Sequence, residues 1–597
     1  MLLPTTPQEL HQRKWDQLDI ILVTGDSYID SPFIGIAVIG NLLVNSGYRV
    51  GVIAQPNINS GEDISRLGAP RLFWGVTGGS IDSMVANYTA MKKKRRSDDF
   101  TPGGVNNRRP DRAVIIYSNL IRRHLQPTQP IILGGIEASL RRIAHYDYWS
   151  DKIRGSLLLD AKADYLLYGM AENSVLELAA ALNNGTDARS IRGLCYSLNP
   201  TQPILIPRDY LELPAYETVK SDSRAFIDMF HMFYQNNDPI TARGLYQQHA
   251  NRFVIQNPPA LTPTQEEIDK IYGFDYARIQ HPYYEAQGQV KALETIQFSI
   301  STHRGCYGEC NFCAIAVHEG RTIRSRSEKS ILEEARSFLN HPDFKGIIPD
   351  LGGPTANMYG FDCSKRRKSG SCKDKRCLLP GVCPALKIDH RPQITLLRKI
   401  RRIPGIKKVF VASGIRYDMI LNDPAYGRQY LHQLLSEHIS GQMKIAPEHS
   451  EHNVLKLMGK PGLPYLDQFS QWFDQINHKL GKDQYLTYYL IAAHPGCTDQ
   501  DMRSLRRYAT HTLGTVPEQV QIFTPTPSTY SSVMYYTGLD PFTYQPVFVE
   551  KNLKRKELQK QILIGNSPRR SAFNRKTRRF KSNQTIPGYP PRRKQTI

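Results

Sequence analysis

The stretch Thr302-His-Arg-Gly-Cys-Tyr-Gly-Glu-Cys-Asn-Phe-Cys-Ala314 places Cys306, Cys310 and Cys313 in a C-x3-C-x2-C triplet. Three thiolates this close can hold three corners of a cubane iron–sulfur cluster, whose irons ordinarily take four cysteines. One iron is then left open, and an open iron is a place to bind and reduce something. A structural zinc is the alternative, with His303 or His318 near enough to be the fourth ligand. Zinc sites usually come as paired C-x2-4-C and H-x3-5-H units, and no such pair is completed here. Just before the triplet, Gln297-Phe-Ser-Ile-Ser301 alternates like a strand entering a loop, which is where barrels place their active sites.

With Phe312 immediately before the third cysteine, the triplet resembles the signature of the radical S-adenosylmethionine (SAM) superfamily. That resemblance implies a [4Fe–4S] cluster on Cys306, Cys310 and Cys313, with SAM chelated to the open iron through its amino and carboxylate groups. It also implies reductive cleavage of SAM to a 5′-deoxyadenosyl radical, fed by a flavodoxin- or ferredoxin-like electron donor.

At 597 residues the chain is long enough for several domains. Its 40% hydrophobic and 22% charged residues are ordinary for a globular protein. No run of about 18 uncharged apolar residues predicts a membrane span, and Met1-Leu-Leu-Pro-Thr-Thr-Pro lacks the pattern of a signal peptide. Eight of the nine cysteines fall between Cys306 and Cys497, which suits metal chemistry in a reducing cytoplasm. The net charge of +22 is uneven: Lys551 to Ile597 holds 15 Lys and Arg against one acid. Basicity is thus largely a property of the tail, and the body need not be a nucleic-acid groove.

Along the chain, residues 1–215 read as an α/β domain with a parallel sheet. Ile20–Thr24 and Arg49–Ala54 are its first strands, with a helix from Phe33 to Val44 between them. Further strands are predicted at 71–76, 130–133 and 164–168, and helices near Ile81–Lys93 and Glu172–Leu182. Residues 216–291 read as a helical connector. From 292 to 565 a second α/β series begins, with strands at 295–301, 346–351, 408–412, 443–446, 485–491 and 519–523. Six strands alternating with helices resemble the partial (β/α)6 barrel, a TIM-type fold, of radical SAM enzymes. Residues 361–390 interrupt it as a Cys-rich basic insertion, and 566–597 read as a disordered basic tail.

Asp350-Leu-Gly-Gly-Pro-Thr355 closes the second strand of this series. Gly352 and Gly353 match the Gly-Gly-Glu motif that holds the SAM amino group in radical SAM proteins, with Pro354 standing where Glu is usual. Ala412-Ser-Gly-Ile-Arg-Tyr417 and Ile445-Ala-Pro-Glu-His-Ser450 end the third and fourth strands. Ser413, Arg416 and Glu448 could supply contacts to the ribose and carboxylate of SAM, and His494 stands at a comparable place.

Matches to the YgiQ family of radical SAM proteins run through Asn87-Tyr-Thr-Ala90, Gly134-Gly-Ile-Glu-Ala-Ser-Leu-Arg-Arg142 and Ala144-His-Tyr-Asp-Tyr-Trp-Ser-Asp151. They continue through the triplet, Asp350–Asn357 and Met443-Lys-Ile-Ala-Pro-Glu-His449. The chain resembles that family over roughly residues 1–565. The resemblance names a cofactor and no substrate.

The N-terminal domain resembles the domain that binds cobalamin in some radical SAM methyltransferases through D-x-H-x-x-G. Here Asp30-Ser-Pro-Phe-Ile-Gly35 has Pro32 in place of the histidine, so cobalamin is not expected.

Cys363, Cys372, Cys377 and Cys383 form C-x8-C-x4-C-x5-C, either a second metal site or free thiols. In the tail, Phe573, Phe580 and Tyr589 interleave with arginines and could meet RNA. Three readings follow: a radical SAM enzyme, a non-catalytic iron–sulfur sensor or RNA-binding protein, and an RNA-modifying radical SAM enzyme.

Overall fold

The apolar run Ile20–Thr24 forms a strand, β1, in which every residue is buried. Ile20 and Leu22 face one core while Ile21 and Val23 face another, so both sides of the sheet are covered. Continuous apolar, mostly β-branched runs suit strands buried this way, and fully burying each such side chain is worth roughly 1.5–3 kcal/mol. The computed structural model describes residues 2–565, apart from 200–205, 374, 375, 516 and 518. The basic tail, with the disorder and RNA contact expected of it, lies outside the described residues.

β2 (Val50–Ala54), β3 (Phe73–Thr77), β4 (Ile131–Gly134) and β5 (Tyr165–Leu167) join β1 in the parallel order β2-β1-β3-β4-β5. The sheet continues through β6 (Leu194–Leu198), β7 (Leu211–Leu213), β8 (Leu245–His249) and β9 (Arg252–Gln256), in the order β6-β9-β8-β7. β6 is antiparallel to both β5 and β9. This corrects the helical connector: helices Tyr216–Ser221 and Ser223–Gln235 are present, but β8 and β9 belong to the sheet. Their buried polar residues hid the pattern. Gln247 accepts from the Ala144 N–H at 3.0 Å, and Gln256 accepts from Arg142 Nε at 2.8 Å. The helix predicted near Ile81–Lys93 is only Ser83–Asn87, begun by Asp82, whose carboxylate caps the N–H groups of Met84 and Val85.

The second half holds β10 (Ile300–Ser301), β11 (Ile347–Ile348), β12 (Leu351–Gly352) and β13 (Lys408–Val409). β14 (Gln442–Glu448), β15 (Tyr485–Ala492) and β16 (Gln519–Ile522) follow. β10 pairs with β12, β11 with β13, β14 with β15, and β15 with β16, all in parallel. Single backbone bonds continue the chain-order progression. Leu351 donates to Phe410 O at 2.8 Å, Val411 to His438 O at 3.0 Å and Ile415 to Lys444 O at 3.2 Å. Intervening helices, among them Glu328–Ser337, Arg391–Arg401 and Leu463–Lys479, bury Ile331, Leu397 and Phe469 in one common core. The strand predicted over 295–301 is shorter than expected, because Leu293–Ile296 is a helical turn.

Helix Leu553–Ile564 returns to the seam between the halves. There Lys556 is buried and donates to Tyr535 OH at 2.7 Å and to Tyr148 OH at 3.3 Å. Burial pushes its amine down to about 7. Among the described residues, no helix is long and apolar enough to cross a membrane.

Candidate metal centre

The loop that carries the cysteine triplet is fastened at both ends. Thr302 N–H donates to Gly352 O at 2.7 Å, which ties the loop's start to β12. Arg304, buried, pairs with Glu172 of the N-terminal half at 2.5 Å. Asn311 donates its backbone N–H to Met458 O and its side-chain amide to Leu457 O, both at 2.8 Å. Between these anchors Cys306, Cys310 and Cys313 are free thiols of intermediate exposure. Gly308 N–H donates to Cys306 Sγ at 3.3 Å, Thr355 Oγ1 lies 3.6 Å from the same sulfur, and Arg416 Nη1 lies 3.7 Å from Cys310 Sγ. Burial, with the neighbouring charge of Cys310, pushes the thiols of Cys306 and Cys313 up. A bound metal is what would hold such groups as thiolates. A Cβ on Gly308 would stand 3.2 Å from Cys306 Sγ and 3.7 Å from Cys310 Sγ, so this glycine keeps the space beside two sulfurs clear.

Glu309, in the middle of the loop, has φ +46°, a conformation few non-glycine residues adopt. Its buried carboxylate lies 2.9 Å from Arg321 Nε and 3.3 Å from Arg366 Nη2, and accepts from Tyr234 OH at 3.3 Å. Arg376 donates to Glu309 O at 3.0 Å. The loop is thereby pinned from two sides, by helix Ser223–Gln235 and by the Cys-rich insertion.

Among the described residues, no three His, Cys, Asp or Glu side chains converge closely enough to hold a single metal ion. His303 Nδ1 lies 2.9 Å from Thr302 Oγ1 and His318 Nδ1 lies 3.0 Å from Ser139 Oγ, while His303 Nε2 is buried without a hydrogen-bond partner among the described residues. A cubane spreads its ligands over separate irons and needs no such convergence. The triplet fits an iron–sulfur cluster better than a zinc ion.

At the neighbouring strand ends, a Cβ on Gly353 would lie 2.6 Å from the His303 ring, and one on Gly352 would lie 3.0 Å from Ser413 Oγ. Close backbone approach therefore requires both glycines. Ser413 donates its hydroxyl to Asp350, which also accepts the N–H groups of Ala412 at 2.8 Å and Ser413 at 3.1 Å. Arg416 is clasped by Asp418, with Nε at 2.8 Å and Nη2 at 2.5 Å, which turns Nη1 toward the Cys310 sulfur. Asp418 thus fills one edge of the guanidinium, Nε and Nη2, and the Nη1 edge faces the cysteine loop. Asn357 holds the Arg416 backbone, accepting its N–H at 2.9 Å and donating to its carbonyl at 3.0 Å.

Glu448 sits where the register between β14 and β15 shifts, with φ +70°. Burial pushes its carboxyl up, against the opposing pull of Lys460 at 3.8 Å and of Arg416. A bulge and a left-handed non-glycine residue together re-aim a side chain at a strand end, and such strain collects at functional sites. Phe312 meets His494 edge-on with ring centroids 6.3 Å apart. His494 is itself spent: burial pushes it down to about 3, and Nε2 lies 2.7 Å from Ser531 Oγ. Of the insertion cysteines, Cys363, Cys377 and Cys383 share one apolar cluster, and Cys372 is not part of it. Asp350, Thr355 and Asn357 were legible as strand-end polar residues flanking the glycine pair. Glu309 had no signal beyond its place inside the triplet.

Residues 2–299 match the Radical SAM N-terminal family model, and residues 518–572 match a domain of unknown function, DUF3362. A UPF0313 protein of Fusobacterium nucleatum is 56% identical over 562 residues, covering 94% of this chain and 98% of that one. A UPF0313 protein of Methanocella arvoryzae is 48% identical over 566 residues, covering 94% and 93%. Among solved structures, the radical SAM methyltransferase TsrM of Kitasatospora setae, with cobalamin and a [4Fe–4S] cluster bound, aligns with TM-score 0.47. It is 14% identical over 86% of this chain and 74% of that one. The cobalamin-dependent SAM radical enzyme OxsB, with aqua-cobalamin and SAM bound, aligns with TM-score 0.47 at 11% identity, over 93% of this chain and 56% of that one.

These two cobalamin-bound structures correct the expectation that cobalamin has no place here. Asp30, the motif residue present, is engaged within the protein: it accepts from Asn41 Nδ2 at 2.9 Å and from the Ala277 N–H at 2.7 Å. No residue of this chain is assigned to cobalamin. Identity of about half over nearly the full length of these relatives, together with the Radical SAM N-terminal match, shows that the chain belongs to the UPF0313 family of radical SAM proteins, the YgiQ family its motifs resemble.

Proposed function

We propose that this radical SAM protein acts as an enzyme through a [4Fe–4S] cluster on Cys306, Cys310 and Cys313, with SAM lying across the adjoining strand ends. When bound and reduced, the cluster supplies the electron that cleaves SAM to methionine and a 5′-deoxyadenosyl fragment, which takes a hydrogen atom from the substrate. The observation that carries this reading is the approach of Arg416 to the Cys310 sulfur and of Thr355, two residues past Gly353, to the Cys306 sulfur. β10, β11 with β12 taken as one broken strand, and β13 to β16 would then form the six strands of the partial (β/α)6 barrel, with their ends facing the cluster.

Within that site, each residue has a distinct task. Gly352 and Gly353 present bare backbone to the amino group of SAM. Arg416, fixed by Asp418 and Asn357, sets positive charge beside a cluster sulfur and so moderates the charge of the thiolates. Glu448 is placed to meet sugar hydroxyls, and Phe312 closes the apolar side. An external reductant of flavodoxin or ferredoxin type delivers the electron. The cytoplasm is the compartment that keeps nine cysteines free.

The test is anaerobic reconstitution followed by reduction with SAM present, with 5′-deoxyadenosine quantified. Wild-type protein should form it, and Cys310→Ala should form none while losing the SAM-dependent change in the cluster's electron paramagnetic resonance signal. Equal 5′-deoxyadenosine from the two proteins would overturn the assignment.

A further inference from the structure

The insertion after β12 folds back against the cysteine-triplet loop. Cys363 precedes helix Ser364–Ser369, and both Cys363 and Cys377 are buried, at 5% and 8% exposure. Cys383 returns to them: its N–H donates to Cys377 O at 2.7 Å, and its carbonyl accepts from Leu386 N–H at 2.9 Å. The three thiols share one small apolar cluster with Tyr307, Phe361 and Leu378. Cys306, the first residue of the triplet, packs against that same cluster. Tyr307 joins the two regions directly, donating its hydroxyl to Asp362 at 2.8 Å.

We propose that Cys363, Cys377 and Cys383 hold a second metal centre, a polynuclear iron–sulfur cluster packed behind the first. All three cysteines are free in the structure, so no disulfide accounts for their convergence. Three unligated thiols side by side contribute little packing that ordinary apolar residues would not, whereas a cluster uses all three. The single-ion alternative lacks its geometry, since no three donors among the described residues converge on one point. In this respect the insertion resembles the triplet loop: its three thiols pack in one cluster, and an iron–sulfur cluster would give each thiol its own iron. Cations lie close by, as the first site also has in Arg416. Arg366, on the helix that follows Cys363, stacks over the Tyr307 ring at 5.4 Å.

The geometry also narrows the ligand set suggested by sequence spacing from four cysteines to three. Cys372 stands outside the shared cluster: its carbonyl accepts from Arg321 at 3.4 Å, and the preceding Ser371 N–H donates to Asp238 at 2.9 Å. That segment is tied to the N-terminal half.

The experiment uses the full chain, reconstituted anaerobically with ferrous iron and sulfide, with iron, acid-labile sulfide and zinc all counted. The arms are wild type, C306A/C310A/C313A, C363A/C377A/C383A, C377S and C372A. Each triple variant should keep about half of the wild-type iron, roughly four atoms. C377S should lose a similar half while keeping a native circular dichroism spectrum, and C372A should match wild type. Wild-type iron in C363A/C377A/C383A or in folded C377S would overturn the proposal. So would an iron-free C306A/C310A/C313A protein, or zinc in place of iron at the insertion. SAM cleavage is read separately, so a wild-type protein with two clusters and no 5′-deoxyadenosine would refute the proposed enzyme while leaving the second centre standing.

Discussion

In the N-terminal half, Arg109 lies 2.6 Å from Asp26 and 2.9 Å from Asp98, and Arg141 lies 2.7 Å from Asp82 and 3.1 Å from Asp147. All six side chains are buried, and each arginine answers two carboxylates. In the C-terminal half, Arg416 divides itself between Asp418 and a cysteine sulfur, and buried Glu448 faces Lys460 at a long 3.8 Å. The first arrangement is closed on itself and serves cohesion. The second leaves charge directed at atoms that the chain alone does not supply, as sites of chemistry do.

The largest expected effect tests the closed side. Arg109→Met leaves two buried carboxylates without their cation and should cost about 3–5 kcal/mol of stability, read from the denaturant midpoint. A loss below about 1 kcal/mol would mean that this network is no more structural than an exposed pair.

Next in size is the seam, where Lys556 is a buried cation held by two tyrosine hydroxyls. Its amine is near 7 when folded and about 10.4 when unfolded. The unfolded chain therefore binds more protons between those values, and stability rises with pH across that window. Below about 7 both states are protonated, and this contribution to the slope vanishes. The slope should approach at most about 1.4 kcal/mol per pH unit in wild type and flatten in Lys556→Met. Equal slopes in the two proteins would remove Lys556 as the titrating group.

The smallest stability effect belongs to the open side. Glu448→Gln removes a buried carboxyl that burial already disfavours as an anion, so unfolding should shift by less than about 1 kcal/mol. The rate of 5′-deoxyadenosine formation should nonetheless fall about ten- to hundredfold, as misplacement of a reactant does. A variant that is destabilised but fully active would reverse the contrast between the halves.

These differences track what could be read from residues alone. β1 and helix Gly35–Asn45 were legible because apolar residues run through both and nothing competes for them. The Cys306, Cys310 and Cys313 spacing was legible because its three ligands are local in sequence. β8 and β9 were not, because Gln247 and Gln256 are buried polar residues whose partners lie far along the chain. β10 to β13 overlap the predicted spans 295–301, 346–351 and 408–412, but at two residues each they are too short for their bounds to be read from period. Ser413 and Arg416 could be picked out by type and place, but not their engagement by Asp350 and Asp418, which depends on how strand ends meet.

The anchoring of Glu309 and Arg304 bears on how far this protein can be dissected. Tyr234 and Glu172, two of their partners, come from before residue 299, where the N-terminal family match ends. A C-terminal fragment begun there would keep every cysteine of the triplet and lose both contacts. It would leave Arg304 without its carboxylate partner, and Glu309 without the Tyr234 hydroxyl that helps hold its left-handed turn. The metal-binding motif is therefore not a transplantable cassette: its working shape is a property of the joined halves.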